Sequence, residues 1–274
     1  MNNDIWTNYI CITCGVQQAA TAVPPTSCPI CEDERQYVNW EGQQWTTLDA
    51  LQVDHHNEMS EVESGLWGVQ TTPRFAIGQR PLLIQTPQGN ILWDCNSYID
   101  SDTVAAINKL GGLKAVAISH PHFYDSMVEW SHAFGNIPVY LHAADREWVQ
   151  RPDPVLHFWE GERHQLVDGV TLIRAGGHFA GSTVLHWAGG AAGKGALLTG
   201  DTIYVVADRR YVTFMYSYPN SIPLRETAVK EIITAITPFD FDRLYGGWSH
   251  TVVESGAKTA VLRSAERYIR AINK

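Results

Sequence analysis

The residues best suited to chemistry fall into two groups. The first is Ser119-His120-Pro121-His122-Phe123-Tyr124-Asp125. Imidazoles at i and i+2 in a turn can face one ion, and a carboxylate three residues on can join them. Three later residues stand in similar places: His178 after the run LIRAGG, Asp201 after ALLTG, and His250 after LYGGWS. Each closes an apolar run, where loops gather and sites form. The second group is Cys11-Ile12-Thr13-Cys14 and Cys28-Pro29-Ile30-Cys31, with thirteen residues between the pairs. Two CxxC knuckles at that spacing can complete a tetrahedral four-thiolate zinc site. A short segment with few large apolar residues needs such a staple to fold. The other histidines show no ligand spacing to one another.

These residues need elements to position them. Residues 74–78, 81–86 and 91–95 read as strands around the turn Pro87-Gln88-Gly89-Asn90. Residues 102–110 suit a helix capped by Ser101 or Asp102 and stopped by Gly111-Gly112. The runs 113–119, 138–143, 169–175, 182–188, 195–200 and 241–247 are strand-like, and 125–134, 223–236 and 255–273 are helical. Strands first in meanders, then alternating with helices, predict a layered α/β sandwich. The organisation expected is a four-cysteine module over 1–40, a connector over 41–65, and one large domain over 66–274.

The chain has 274 residues, is 45% hydrophobic, and carries a formal charge of -9. That acidity disfavours nucleic acid and anionic membranes, which select clustered Lys and Arg. Within the first 40 residues Asp4, Glu32, Asp33 and Glu34 stand against Arg35 alone. This argues for a docking role of the cysteine segment and against a phosphate footprint. No stretch approaches the roughly 20 apolar residues of a membrane span. The opening MNNDIWTNYI lacks the features of a signal peptide. A cytoplasmic protein is expected, with a small-molecule substrate as its partner.

The cysteine segment resembles a zinc ribbon or rubredoxin-like knuckle. The order and spacing of the histidine and aspartate segments resemble the metallo-β-lactamase superfamily, over roughly residues 65–274. Members carry an HxHxDH motif, a Gly-His before a small-residue turn, a Gly-Asp after a strand, and a final His. The resemblance implies a four-layer αβ/βα sandwich with His120, His122 and His178 on a first metal ion. It implies Asp201 bridging two ions, His250 on the second, and Asp94 in support. The first motif departs from the pattern, since Tyr124 and Asp125 stand where the family has Asp and His. Two arrangements follow. Asp125 replaces the missing ligand beside Asp201 and His250, or the second site is empty and His120, His122, His178 and Asp201 hold one ion. One or two zinc ions are expected there, and the extra carboxylate also admits iron or manganese.

The implied activity is attack of a metal-activated water on an ester, thioester, lactone or related bond. Asp125 or Asp201 would take the water's proton. Tyr124 would either donate to a developing oxyanion or pack beneath the site. Tyr204, Arg209 and Arg210 would suit an anionic or planar substrate, and the aromatic residues around them also admit a homodimer. The competing expectations are an iron-dependent oxidoreductase on the same fold and a binding protein with a decayed site.

Overall fold

The structure is a computed structural model that describes residues 6–274. Asp4 lies outside the described residues. Near the N-terminus β1 (Ile10–Cys11) pairs antiparallel with β2 (Trp45–Thr46), and α1 (Pro29–Glu32) carries the second knuckle. After α2 (Leu48–Leu51) comes a seven-stranded sheet in sequential order. Its strands are β3 (His56–Glu63), β4 (Leu66–Thr72), β5 (Leu82–Ile84), β6 (Ile91–Trp93), β7 (Ala115–Ala117), β8 (Val139–His142) and β9 (Leu156–Trp159). Pairing is antiparallel from β3 to β6 and parallel from β6 to β9. The helices α3 (Ser101–Lys109) and α4 (Met127–Ala133) provide the first two crossovers that parallel pairing requires, and a 3-10 segment at Ala143–Trp148 lies in the third.

The second sheet begins with β10 (Arg163–Val167), β11 (Val170–Arg174), β12 (Thr183–Trp187) and β13 (Ala196–Leu198), with α5 (Gly190–Gly193) between the last two. Two hairpins interrupt it: β14 (Tyr204–Val205) with β15 (Val212–Thr213), and β16 (Met215–Ser217) with β17 (Ile222–Pro223). The helix α6 (Glu226–Ile236) leads to β18 (Arg243–Tyr245), β19 (Val252–Val253) and α7 (Ala257–Ile272). The six-stranded order is β10-β11-β12-β13-β18-β19.

Alternation along the strands builds the layers, because successive side chains point to opposite faces. Leu82, Ile84 and Trp93 meet Leu172, Leu185 and Leu198 between the two sheets. Leu83, Leu92 and Val116 face outward onto Ile107 of α3 and Val128 and Trp130 of α4. Ile173, Leu197 and Leu244 take the opposite outer face, against Val229 and Ile232 of α6 and Val261 of α7. The result is the four-layer αβ/βα sandwich expected from the sequence.

The structure refines several elements. Residues 74–78 are a loop rather than a strand, because Ala76 and Gly78 take left-handed φ of 48° and 70°. The cap of α3 is Asp100, whose carboxylate accepts from Thr103 N at 2.7 Å. Residues 41–65, read as a connector, carry β2, α2 and the edge strand β3. The buried cysteines share one core with Val69, Leu92 and Trp130, so the module packs on the first sheet and its helices. Among the described residues no helix is long and apolar enough to cross a membrane.

Candidate metal centre

Strand ends deliver the site. Beyond β7, Ser119 N donates to Asp94 Oδ1 at 2.7 Å, and Thr183 N donates to the Ser119 carbonyl at 2.8 Å. The chain is thus pinned to both sheets at the residue before His120. A turn at Pro121–Phe123 then presents His122. His178 follows β11, and Asp201 follows β13. Gly200 takes φ +50°, and a Cβ there would lie 2.5 Å from Ser119 Oγ. Only glycine lets the strand that carries Asp201 come so close to the one that carries His120.

His120, His122, His178 and Asp201 are buried, and one ligand atom from each lies within 4.8 Å of the others. His120 Nε2 stands 3.4 Å from Asp201 Oδ2, and His122 Nδ1 stands 3.2 Å from His178 Nε2. His178 Nε2 to Asp201 Oδ2 is 3.9 Å. Donors about 2.0–2.1 Å from a tetrahedral ion would sit roughly 3.3 Å apart, so the spacing suits one ion. His120 Nε2, His122 Nε2 and Asp201 Oδ1 are buried without a partner. Such atoms are costly, and His120 Nε2, which faces Asp201 Oδ2 at 3.4 Å, borders the space an ion would fill. Ser119 Oγ lies 2.8 Å from His120 Nδ1, and His178 Nδ1 donates to the Met215 carbonyl at 3.2 Å. Both contacts leave Nε2 free as the ligand atom.

Charge is tuned by burial. Desolvation lowers the His178 pKa to about 4 and that of His122 well below the ordinary value. Both therefore remain neutral, as metal ligands must be. Burial raises the Asp94 carboxyl to about 7 and Asp145 to about 6. The Asp145 carboxylate accepts from Gly181 N at 2.7 Å and so braces the loop after His178.

Asp125, expected from the sequence as a ligand, lies outside this cluster. Its carboxylate accepts from Ser97 Oγ at 2.5 Å and from Gln79 Nε2, and its carbonyl accepts from Gln17 N at 3.0 Å. It belongs to the seam between the cysteine module and the first sheet. Burial holds its carboxyl well above the usual range. His250 is exposed on the turn after Trp248 and also lies outside the ligand cluster. Tyr124 is buried with its hydroxyl donating to the Asp145 carbonyl at 3.2 Å, the arrangement of the packed alternative. Arg209 and Arg210 are exposed, and Arg210 forks onto Asp208 at 2.8 Å. Tyr204 stands nearer, 4.9 Å from the Tyr218 ring and 5.6 Å from Trp248.

A cavity of about 260 Å³ opens onto His122, His178 and Asp201. Its other walls include Thr13, Gln36 and Tyr37 from the cysteine module, and Trp248. Gln36 is buried with Oε1 unpartnered. Tyr218 also lines the cavity, and its hydroxyl donates to the Asp201 carbonyl at 2.9 Å. Sequence reasoning missed Gln36, Asp145 and Trp248, for which no local motif exists. The isolation of Arg35 as the first cation was the one available hint of a role there.

The four cysteines are free and buried, and all four sulfurs lie within 4.8 Å of one another. Cys11 Sγ to Cys31 Sγ and Cys14 Sγ to Cys28 Sγ are both 3.6 Å. A disulfide would need about 2.05 Å. Four thiolates about 2.3 Å from a tetrahedral zinc sit near 3.8 Å from each other, which matches. Hydrogen bonds from Cys14, Cys28 and Cys31 push the Cys11 thiol far down, while burial raises Cys14 and the contact with Cys11 raises Cys31, so the four sulfurs titrate as one group.

No family model matches the sequence. The Bacillus subtilis (strain 168) uncharacterized protein YmaE is 52% identical over 267 residues, 97% of each chain. Among solved structures, VMB-1 superposes with a TM-score of 0.58 at 13% identity, over 79% of this chain and 98% of its own. The DIM-1 metallo-β-lactamase gives 0.58 at 15% identity, over 79% and 98%. The metallo-β-lactamase FIM-1 from Pseudomonas aeruginosa, in its mono-zinc form, gives 0.55 at 13% identity, over 77% and 95%.

Proposed function

The chain belongs to one family with Bacillus subtilis YmaE and has the metallo-β-lactamase fold, and from that premise we propose that it is a metal-dependent hydrolase with one ion in its active site. The observation that carries this reading is the cluster of His120, His122, His178 and Asp201, with unpartnered buried atoms beside a cavity. Zinc fits the three imidazoles and one carboxylate, and the carboxylate also suits iron or manganese. Such an ion would polarise a carbonyl oxygen and acidify water. The protein's own groups do the rest. His178 and His122 stay neutral through burial, and Asp201 Oδ1 is placed to accept a proton from the attacking water. Gln36 offers an amide to a hydroxyl or N–H on the substrate. Tyr37 and Trp248 wall the cavity and restrict water.

The bond attacked is a carbonyl ester, thioester or lactone, or a relative of these. β-Lactams join the test panel because the fold neighbours are named for them, although 13–15% identity transfers no substrate. The test is elemental analysis of protein purified without added metal, followed by an assay of that panel. Two zinc ions per chain with turnover of a carbonyl substrate is the expected result. Iron at the histidine site with oxygen consumption on a thiol would establish the oxidoreductase reading instead. A histidine site that takes no metal would leave a binding protein.

A further inference from the structure

Arg35 stands four residues after Cys31 and reaches out of the cysteine module. Its Nη1 donates to the His178 carbonyl at 3.2 Å. Its Cζ lies 3.7 Å from the centroid of the Phe179 ring, a cation stacked on the residue after the ligand. Asp33 locks the guanidinium from the other side, with Nε to Oδ1 at 2.6 Å and Nη2 to Oδ2 at 2.9 Å. The Arg35 main chain is held as well, since Ser217 Oγ donates to its carbonyl at 3.0 Å. Ser217 lies in β16, the strand whose Met215 carbonyl accepts from His178 Nδ1. Arg35 therefore grips His178 twice: through its backbone, and through the strand that orients its ring. The neighbouring contacts run the same way. Tyr216 OH donates to Glu34 Oε1 at 2.7 Å, and Asn220 Nδ2 donates to the Glu34 and Gln36 carbonyls at 2.9 Å each.

We propose that the four-cysteine module is a working part of the metal centre, with Arg35 the positioning residue that fixes His178. The inference rests on the single-ion hydrolase reading above. The module's own metal holds the segment after Cys31 in place, and that segment holds one of the three imidazoles. A merely stabilising appendage could pack anywhere on the sandwich. This one packs with a guanidinium Nη1 on a ligand's carbonyl, and with Thr13, from between the first two cysteines, on the cavity wall. Contacts that orient ligands change metal affinity about 10–100-fold when removed.

The test uses the full chain, stripped of metal and titrated with Co2+. Thiolate-to-cobalt charge transfer reports the four-cysteine site, and weaker visible ligand-field bands report the histidine site. Arg35→Ala should keep the charge-transfer band, shift the ligand-field bands, and weaken cobalt at the histidine site about tenfold or more. Arg35→Lys keeps the charge but not the fork, and should fall between. Unchanged affinity and spectrum at the histidine site in Arg35→Ala would overturn the proposal. If Arg35→Ala loses the charge-transfer band, its histidine site must weaken as it does in Cys28→Ser. Wild-type affinity at that site in either chain would overturn the proposal equally. A wild-type chain that takes cobalt only on its cysteines would defeat the hydrolase reading itself, and this proposal with it.

Discussion

The two clusters of potential ligands contrast in what surrounds them. Cys11, Cys14, Cys28 and Cys31 turn all four sulfurs inward, and the core closes over them. His120, His122, His178 and Asp201 are as deeply buried, yet three of their polar atoms lack partners and a cavity reaches them. A closed shell of four thiolates holds a fold together; an incompletely satisfied shell beside a cavity can admit a reactant. The number of ligands does not separate structure from chemistry. The satisfaction of their remaining atoms does.

The contrast breaks most visibly at the cysteines. Cys28→Ser should unfold the segment before β3, because structural zinc sites of this kind contribute on the order of 10 kcal/mol. Limited proteolysis should cut between residues 15 and 45 in that variant and spare the wild-type chain. Resistance equal to wild type would show that the module folds without its metal. The next effect is at the open site. His120→Ala should remove one metal ion per chain and all hydrolysis while leaving the thiolate-bound ion, as elemental analysis would report. Loss of both ions would merge the two sites into one cooperative unit.

The cavity wall should give a smaller effect. Gln36→Ala should lower kcat/KM about 2–10-fold with metal content unchanged, since a neutral hydrogen bond to a substrate donor is worth about 0.5–1.5 kcal/mol. No change in kcat/KM would remove Gln36 from the substrate's contacts. Asp125 and His250 sharpen the comparison further. Asp125→Ala removes the carboxylate on which Ser97 Oγ and Gln79 Nε2 converge, leaving each only a backbone carbonyl, and should cost about 1–3 kcal/mol in urea unfolding. Metal content should remain unaltered. His250→Ala, on an exposed turn, should stay within about 0.5 kcal/mol of wild type. A lost metal ion in either variant would restore the two-ion site.

Much of this was legible in the sequence. Short apolar runs beside turn residues announced β5, β6 and β12, and amphipathic periodicity announced α6 and α7. His120, His122, His178 and Asp201 come together because the segments that carry them follow buried strands. What local pattern could not carry was direction. Asp125 sits three residues from His122, but at a φ of 37° its carboxylate meets Ser97 and Gln79 and lies outside the histidine cluster. The cysteine spacing pointed to a module and was silent on where it would dock. Docking depends on Arg35 meeting a carbonyl 143 residues away, a contact that no periodicity encodes.

One further effect bears on how the open site responds to an ion. Asp94 supports Ser119 from full burial, and its carboxyl is raised to about 7 from an ordinary 3.8. A carboxyl raised on folding adds stability at low pH and loses that contribution as pH climbs through its folded value. In chelated protein, Asp94→Asn keeps an oxygen for Ser119 N and removes the titration. Relative to wild type it should therefore gain about 1–3 kcal/mol between pH 5 and pH 8, read as urea midpoints. Refilling only the cysteine site should leave that slope intact. Refilling the histidine site should flatten it, because a nearby cation stabilises the Asp94 carboxylate in the wild-type chain. A slope indifferent to the second ion would place that ion too far away to be held by His120.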